Sequence, residues 1–131
     1  MTRAPRSLFA GFDASTQGLT TQLIECGGDD AARVVFESVI NYERDLPQYG
    51  TRHGVLPSED PRVAVAPPQM WMDALEMAMA RIASSGLDLP RIRAFSGCAQ
   101  QHGTVYLDGQ GGFSRATSPI WLDASTSVEC D

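Results

Sequence analysis

Two runs with apolar residues at positions 8–14 and 19–26 are separated by the polar and small residues Ser15, Thr16, Gln17 and Gly18. That pattern predicts two strands joined by a tight hairpin. The Val- and Ile-rich run ARVVFESVIN, residues 32–41, predicts a third strand after the turn-forming GGDDA at 27–31. Three strands with short links make an antiparallel meander. Residues 42–66 carry several Pro and Gly and no period, and read as an excursion over the surface. Structureless stretches of that length inside a domain are usually functional or disordered. The segment PPQMWMDALEMAMARIASSG, 67–86, predicts a helix with Trp71, Leu75, Ala78 and Ile82 on the core stripe and Gly86 at C′. Its methionines Met70, Met72, Met77 and Met79 read as adaptable packing. A fourth strand is expected over 92–95, ending at SGCAQQHG. Beyond it, TVYLDGQGGF at 104–113 reads as a strand and a Gly-rich turn, and residues 119–122 as one more strand. Asp123 caps a final helix, or Thr126 and Glu129 form a capping box there.

The resulting β-β-β-α-β order is that of an α/β domain with a mixed sheet, as in the ribonuclease H-like and actin-like folds. Composition narrows the class further. A length of 131 residues with 43% hydrophobic and 20% charged positions suits one globular domain with a real core. A net charge of -6 argues against a nucleic-acid partner, whose phosphates need a basic surface. No run reaches the length of a membrane span or of a secretory leader core, so the expectation is a cytoplasmic protein without membrane contact. Cys26, Cys98 and Cys130 are odd in number and widely spaced, which fits reduced thiols better than a disulfide framework or a zinc site.

Three places carry chemistry. Asp13 ends the first strand beside a hairpin rich in hydroxyl and amide donors. Such a carboxylate can orient magnesium while the turn cradles phosphate, or it can bond its own backbone as an Asx turn. On local pattern alone the Asx turn is the plainer reading. Gln100, Gln101 and His102 follow a buried strand, where open α/β sheets bind ligands. Amide and imidazole groups suit neutral hydroxyls, and a polar turn with a surface histidine is an equal alternative. Trp121 and Asp123 stand two apart on an expected strand and so share a face. They could stack on a sugar and accept from its hydroxyls, or be a core Trp followed by a helix cap. A ribonuclease H-like nuclease needs several acids converging on metal. The fourth strand instead runs into Ser96, Gly97 and Cys98.

In this order and spacing the segments GFDASTQGL, NYERDLPQYGTRHGV, MWMDAL, SGCAQQHGTVYL and SPIWLDASTSVEC resemble the FGGY family of carbohydrate kinases, and within it the xylulokinase branch. The resemblance implies an actin-like ATPase fold with two domains, moving the γ-phosphoryl of ATP, with Mg2+, to a ketopentose such as D-xylulose. It places Asp13, Ser15 and Thr16 at the phosphate and magnesium, with Asp13 as the metal residue, and Gln101, His102, Trp121 and Asp123 at the sugar. Two positions depart from the family pattern: Ser15 replaces a usual Gly, and Thr20 stands where Lys or Arg is frequent. The family's catalytic aspartate would lie beyond Asp131, as would its C-terminal ATP-binding domain. Residues 1–131 thus read as the N-terminal part of the first domain, inactive alone, with the missing C-terminal half or a second copy as partner. The alternative is a non-catalytic sugar-binding or interaction module.

Overall fold

The computed structural model describes residues 6–27 and 31–130. Strands β1 (Ser7–Ala14), β2 (Gly18–Cys26) and β3 (Arg33–Asn41) form the antiparallel meander. A one-turn helix α1 (Tyr42–Asp45), a short strand β4 (Val65–Ala66) and the long helix α2 (Pro68–Ala83) come next. Strand β5 (Ile92–Ala99) then pairs with β1 in parallel, giving the mixed sheet order β3-β2-β1-β5. A last short strand, β6 (Ser118–Pro119), pairs antiparallel with β4. The expected α/β class and strand order hold.

Period-two burial on β2 turns Leu19, Thr21, Leu23 and Glu25 toward α2. The helix answers with Met70, Ala74, Ala78 and Ile82, all buried at a spacing of four. This corrects the expected stripe: Ala78 and Ile82 stand, Trp71 is only partly covered, and Leu75 is exposed. Small residues at 74 and 78 let the helix backbone approach the sheet, which sends the larger side chains to its flanks. Met70 and Met77 pack as expected, whereas Met72 and Met79 face outward. The helix closes at Ser84, so left-handed Gly86 (φ 76°) lies one residue beyond the C′ position assigned to it.

Residues 42–66 do not skirt the surface. Asn41 caps α1, its side chain accepting from the Arg44 amide at 2.9 Å while Asp45 accepts from the Asn41 amide at 2.8 Å. Tyr42 and Leu46, one helical turn apart, are buried along with Thr51, Ala64 and Ala66. The Asn-Tyr-x-x-x-Leu signal was present, but frequent Pro and Gly masked its single turn. Three further expectations change. β5 runs on through Ala99, and residues 104–107 form no strand, only a Leu107–Phe113 bridge around the Asp108 turn. The strand expected over 119–122 ends at Pro119, since the chain turns there with the Asp123 amide donating to the Ile120 carbonyl at 2.9 Å. Asp123 accepts from the Ser125 amide, but Ser127–Cys130 beyond it form a 3₁₀ turn, not an α-helix. Most of GGDDA, residues 28–30, lies outside the described residues. Cys26, Cys98 and Cys130 are all free thiols, and no described helix is long and apolar enough to cross a membrane.

One end of the sheet is pinned by charge. Buried Glu25 accepts from Arg33 (Nε at 3.0 Å, Nη2 at 2.8 Å), from Arg6 at 3.3 Å and from Arg91. Arg91 also donates to the Arg6 carbonyl at 2.7 Å, so the cluster joins β2, β3 and both approaches to the β1–β5 pair. These guanidiniums, Arg91 foremost, hold the Glu25 carboxyl down at about 2. A depressed carboxyl stabilises the fold above its unfolded value of 4.5 and loses that contribution as pH falls toward about 2. Glu25→Gln is therefore expected to lower the melting temperature at pH 7 and to flatten the acid limb of the stability profile, read by circular dichroism. An unchanged limb would show that the cluster does not tie the sheet.

The other edge is open. Residues 93–99 of β5 are exposed, and Phe95, 56% accessible, stacks on Phe12 with ring centroids 6.2 Å apart. Leu75 and Met79 of α2 flank the same apolar groove. An unpaired strand edge beside exposed apolar surface drives association. Concentration-dependent sedimentation is expected for the 131-residue chain, reduced by Phe95→Glu; a monomer at all concentrations would contradict this.

Candidate functional site

β1 and β5 run in parallel and finish level, Ala14 opposite Ala99, so the segments leaving both strands emerge side by side. From β1 comes the 15–18 hairpin; from β5 comes Gln100–Gln101–His102. The turn after β6 brings Trp121 across, its indole Nε1 donating to the Thr16 hydroxyl at 2.9 Å. Together they border a groove of about 310 Å³. Asp13, Ser15, Thr16, Gln101, His102 and Trp121 all line it. Asp123 does not. Its carboxylate faces the opposite way, accepting from the Ala64 amide at 2.8 Å and from the Ser125 hydroxyl and amide, which keep its pKa low.

The Ser15 amide and hydroxyl both donate to the Gly18 carbonyl, at 2.9 and 3.1 Å, and so close the turn. The Thr16 and Gln17 amides have no hydrogen-bond partner among the described residues, leaving two N–H donors at the hairpin tip. Asp13 is exposed at the groove, with the Cys98 thiol donating to its Oδ1 at 3.3 Å. That carboxylate, more than burial, pushes the thiol pKa up. Thr20 stands directly across from Asp13 in the β1–β2 ladder, and no cationic side chain lines the groove among the described residues. His102 adopts a left-handed conformation (φ 58°), a strain on the order of 1 kcal/mol for a non-Gly residue.

Gln100 is more deeply placed than the two residues after it. Its Nε2 reaches toward the Ser15 carbonyl at 3.5 Å, while its Oε1 is buried with no partner. It also lines an adjoining recess of about 210 Å³ with Trp71 and Val105. A buried acceptor without a donor costs about 1–3 kcal/mol unless something donates to it. Gln100 stood within the singled-out segment, yet nothing in its sequence neighbourhood ranked it above Gln101. Cys98 gave no sequence signal, since its role comes from strand pairing.

The donor set suits a magnesium ion bound largely through phosphate oxygens and water, with Asp13 as one carboxylate and the tip amides facing phosphate. It does not suit an all-protein metal cage: no group of three His, Cys, Asp or Glu converges among the described residues.

A mixed sheet with a polar crevice at the ends of two parallel strands fits the actin-like α/β class. Gluconate kinase from Lactobacillus acidophilus superposes with a TM-score of 0.71 over 95% of this chain and 21% of its own, at 17% identity. Xylulose kinase from Rhodospirillum rubrum gives 0.67 over 94% and 22%, at 19% identity. No family model matches the chain. By sequence it is 33% identical to mouse xylulose kinase over 98% of its own length and 26% of the relative, and 32% identical to xylulose kinase 2 of Arabidopsis thaliana over 96% and 25%. The probable D-xylulose kinase A of Aspergillus clavatus is 34% identical over 95% and 24%. Over nearly its whole length the chain is similar to xylulose kinases, and it spans about a quarter of the length of these relatives.

The Cys98–Asp13 contact has a direct readout. Because the carboxylate raises the thiol pKa, less thiolate forms at a given pH and alkylation slows. Asp13→Asn is expected to speed iodoacetamide labelling of Cys98 at pH 8, followed by peptide mass spectrometry, while Cys26 and Cys130 keep their rates. Equal labelling of Cys98 in both forms would contradict the contact.

Proposed function

We propose that this chain is the sugar- and phosphate-facing portion of an ATP-dependent, xylulokinase-type enzyme acting on a ketopentose such as D-xylulose, with residues 1–131 forming the first part of its N-terminal domain. The observation that carries this reading is the groove that Asp13, Gln100, His102 and Trp121 line beside the hairpin tip, with the Gln100 Oε1 buried and without a partner. A polyhydroxy ligand supplies the donor that Gln100 lacks, and the Trp121 ring offers a stacking face. Gln101 and His102 add hydrogen bonds at the rim. Magnesium and the γ-phosphate belong beside Asp13, Ser15 and Thr16. Asp123 acts by setting the Trp121 turn through its bonds to Ala64 and Ser125.

Among the described residues Asp13 is the one carboxylate that lines the groove, and a group that orients magnesium is not free to take the proton of the sugar hydroxyl. The chain therefore binds sugar without turning over ATP, the base and adenosine site coming from a companion polypeptide segment. The same observation favours a second reading, a non-catalytic sugar-binding module. Neither reading needs nucleic acid or membrane, and both fit the cytoplasm.

Isothermal titration of the 131-residue chain with D-xylulose tests the binding step. Weak affinity, on the order of millimolar, is expected because an open groove buries little of the ligand. Gln100→Ala should weaken it roughly tenfold, the worth of one buried hydrogen bond, and His102→Ala should weaken it further. Absent binding would refute the sugar reading; sugar-stimulated ATP hydrolysis by this chain alone would refute its inactivity.

A further inference from the structure

Resting on that reading, the inference concerns what aims the hairpin donors at the groove. The segment Arg52 to Val55 is a second, miniature hairpin: Arg52 and Val55 exchange both backbone hydrogen bonds, at 2.8 and 3.0 Å. Its two central residues, His53 (φ 51°) and Gly54 (φ 82°), are both left-handed, as a type I′ turn requires. It does not float. Thr51, just before it, is buried and its hydroxyl contacts the Met70 sulfur of α2 at 3.7 Å. The His53 amide donates to Glu43 at 3.0 Å, and the Leu56 amide to the Val65 carbonyl at 2.9 Å.

The tip of this turn presses on the first hairpin. A Cβ on Gly54 would lie 1.7 Å from the Thr16 carbonyl oxygen and 3.2 Å from the Gln17 Cα, so only a glycine allows the approach. Two more contacts complete the hold: the Tyr42 amide donates to the Gln17 carbonyl at 3.0 Å, and Trp121 donates to the Thr16 hydroxyl at 2.9 Å. In a trans peptide the C=O and the following N–H point in opposite directions from one rigid plane. With the Thr16 carbonyl set against Gly54, the Gln17 N–H on the same plane must point away from it.

We propose that Gly54 is a positioning residue for this site: by seating the Thr16 carbonyl it fixes the direction of the Gln17 amide and holds the Thr16 hydroxyl within reach of Trp121. Sugar-side and phosphate-side groups are thereby set from one point.

The test uses ¹⁵N-labelled 131-residue chain without sugar or nucleotide, reading the Gln17 amide and the Trp121 indole N–H by NMR. Gly54→Ala is compared with Gly50→Ala, because Gly50 is equally left-handed (φ 64°) but a Cβ there meets nothing within 4 Å. Both variants place Ala at a left-handed position, and only one carries the clash. Gly54→Ala is expected to shift both resonances and to speed exchange of the Trp121 indole proton about fivefold, the loss of one hydrogen bond; Gly50→Ala is expected to leave both in place. Equal responses in the two variants, or none from Gly54→Ala, would overturn the proposal. Should Gly54→Ala not fold, Trp121→Phe decides: with the carbonyl still seated, the Gln17 amide should keep its exchange rate, and a large change there would show that Trp121, not Gly54, sets it. No ligand enters these measurements. Failure of the functional reading would appear as a missing sugar response beside an intact Gly54 effect, and failure of this inference as the reverse.

Discussion

Parallel pairing of β5 on β1 obliges the chain to leave the sheet, cross it, and re-enter in the same direction, and the rest of the structure obeys that demand. A parallel connection needs a long crossover, which here includes α1, the 46–66 segment and α2. The crossover helix must lie close on the sheet, so its inward stripe carries Ala74 and Ala78 between Met70 and Ile82. Parallel strands also end together. That places the hairpin leaving β1 against the segment leaving β5, so residues 85 positions apart, Cys98 on Asp13 and Gln100 near Ser15, become neighbours.

The two ends of this sheet are built to opposite rules. At one end a carboxylate, Glu25, meets three arginines and is almost inaccessible to solvent. At the other, among the described residues, Asp13 is exposed with no cation on it, Gln100 Oε1 has no donor, two amides have no acceptor, and His102 holds a strained backbone. A stable fold satisfies its polar groups; a binding site keeps some unsatisfied for its ligand. The charged cluster at the far end holds the sheet against the cost of these unmet groups.

How far the sequence revealed this depends on the length scale of each signal. Apolar and β-branched runs bounded by short turn signals read the meander to within a residue. The α2 stripe slipped by one position, since hydrophobicity ranks Trp71 and Leu75 above Ala74, while close packing ranks them the other way. The buried turn at Tyr42 and Leu46 was lost because one helical turn gives too few repeats to count. Of the candidate site residues, six line a common groove. They were grouped by resemblance, not by local chemistry, which had left Asp13 an Asx carboxylate. What no local pattern could reveal were pairings across the fold: Cys98 with Asp13, Trp121 with Thr16, and Gly54 with the Thr16 carbonyl. Gly18 shows the same limit. It reads as a turn residue, but a Cβ there would also lie 2.3 Å from the Ile40 carbonyl on β3.

The open edge and the single carboxylate are two faces of one requirement. Phosphoryl transfer to a sugar hydroxyl needs charge neutralised at the phosphate and a separate acceptor for the hydroxyl proton. Under the proposed function Asp13 serves the first need, and Thr20 across the ladder adds no positive charge. Both the second carboxylate and the missing cation must then approach from outside the four-stranded sheet. β5 carries one wall of the groove on Gln100 and His102, and its far edge and its face beside Phe95, Leu75 and Met79 are uncovered. Polypeptide that added a strand there and covered Phe95 would also arrive next to the sugar wall. Under the proposed function, covering the apolar edge and supplying the second carboxylate would be one structural step, because both lie beside β5.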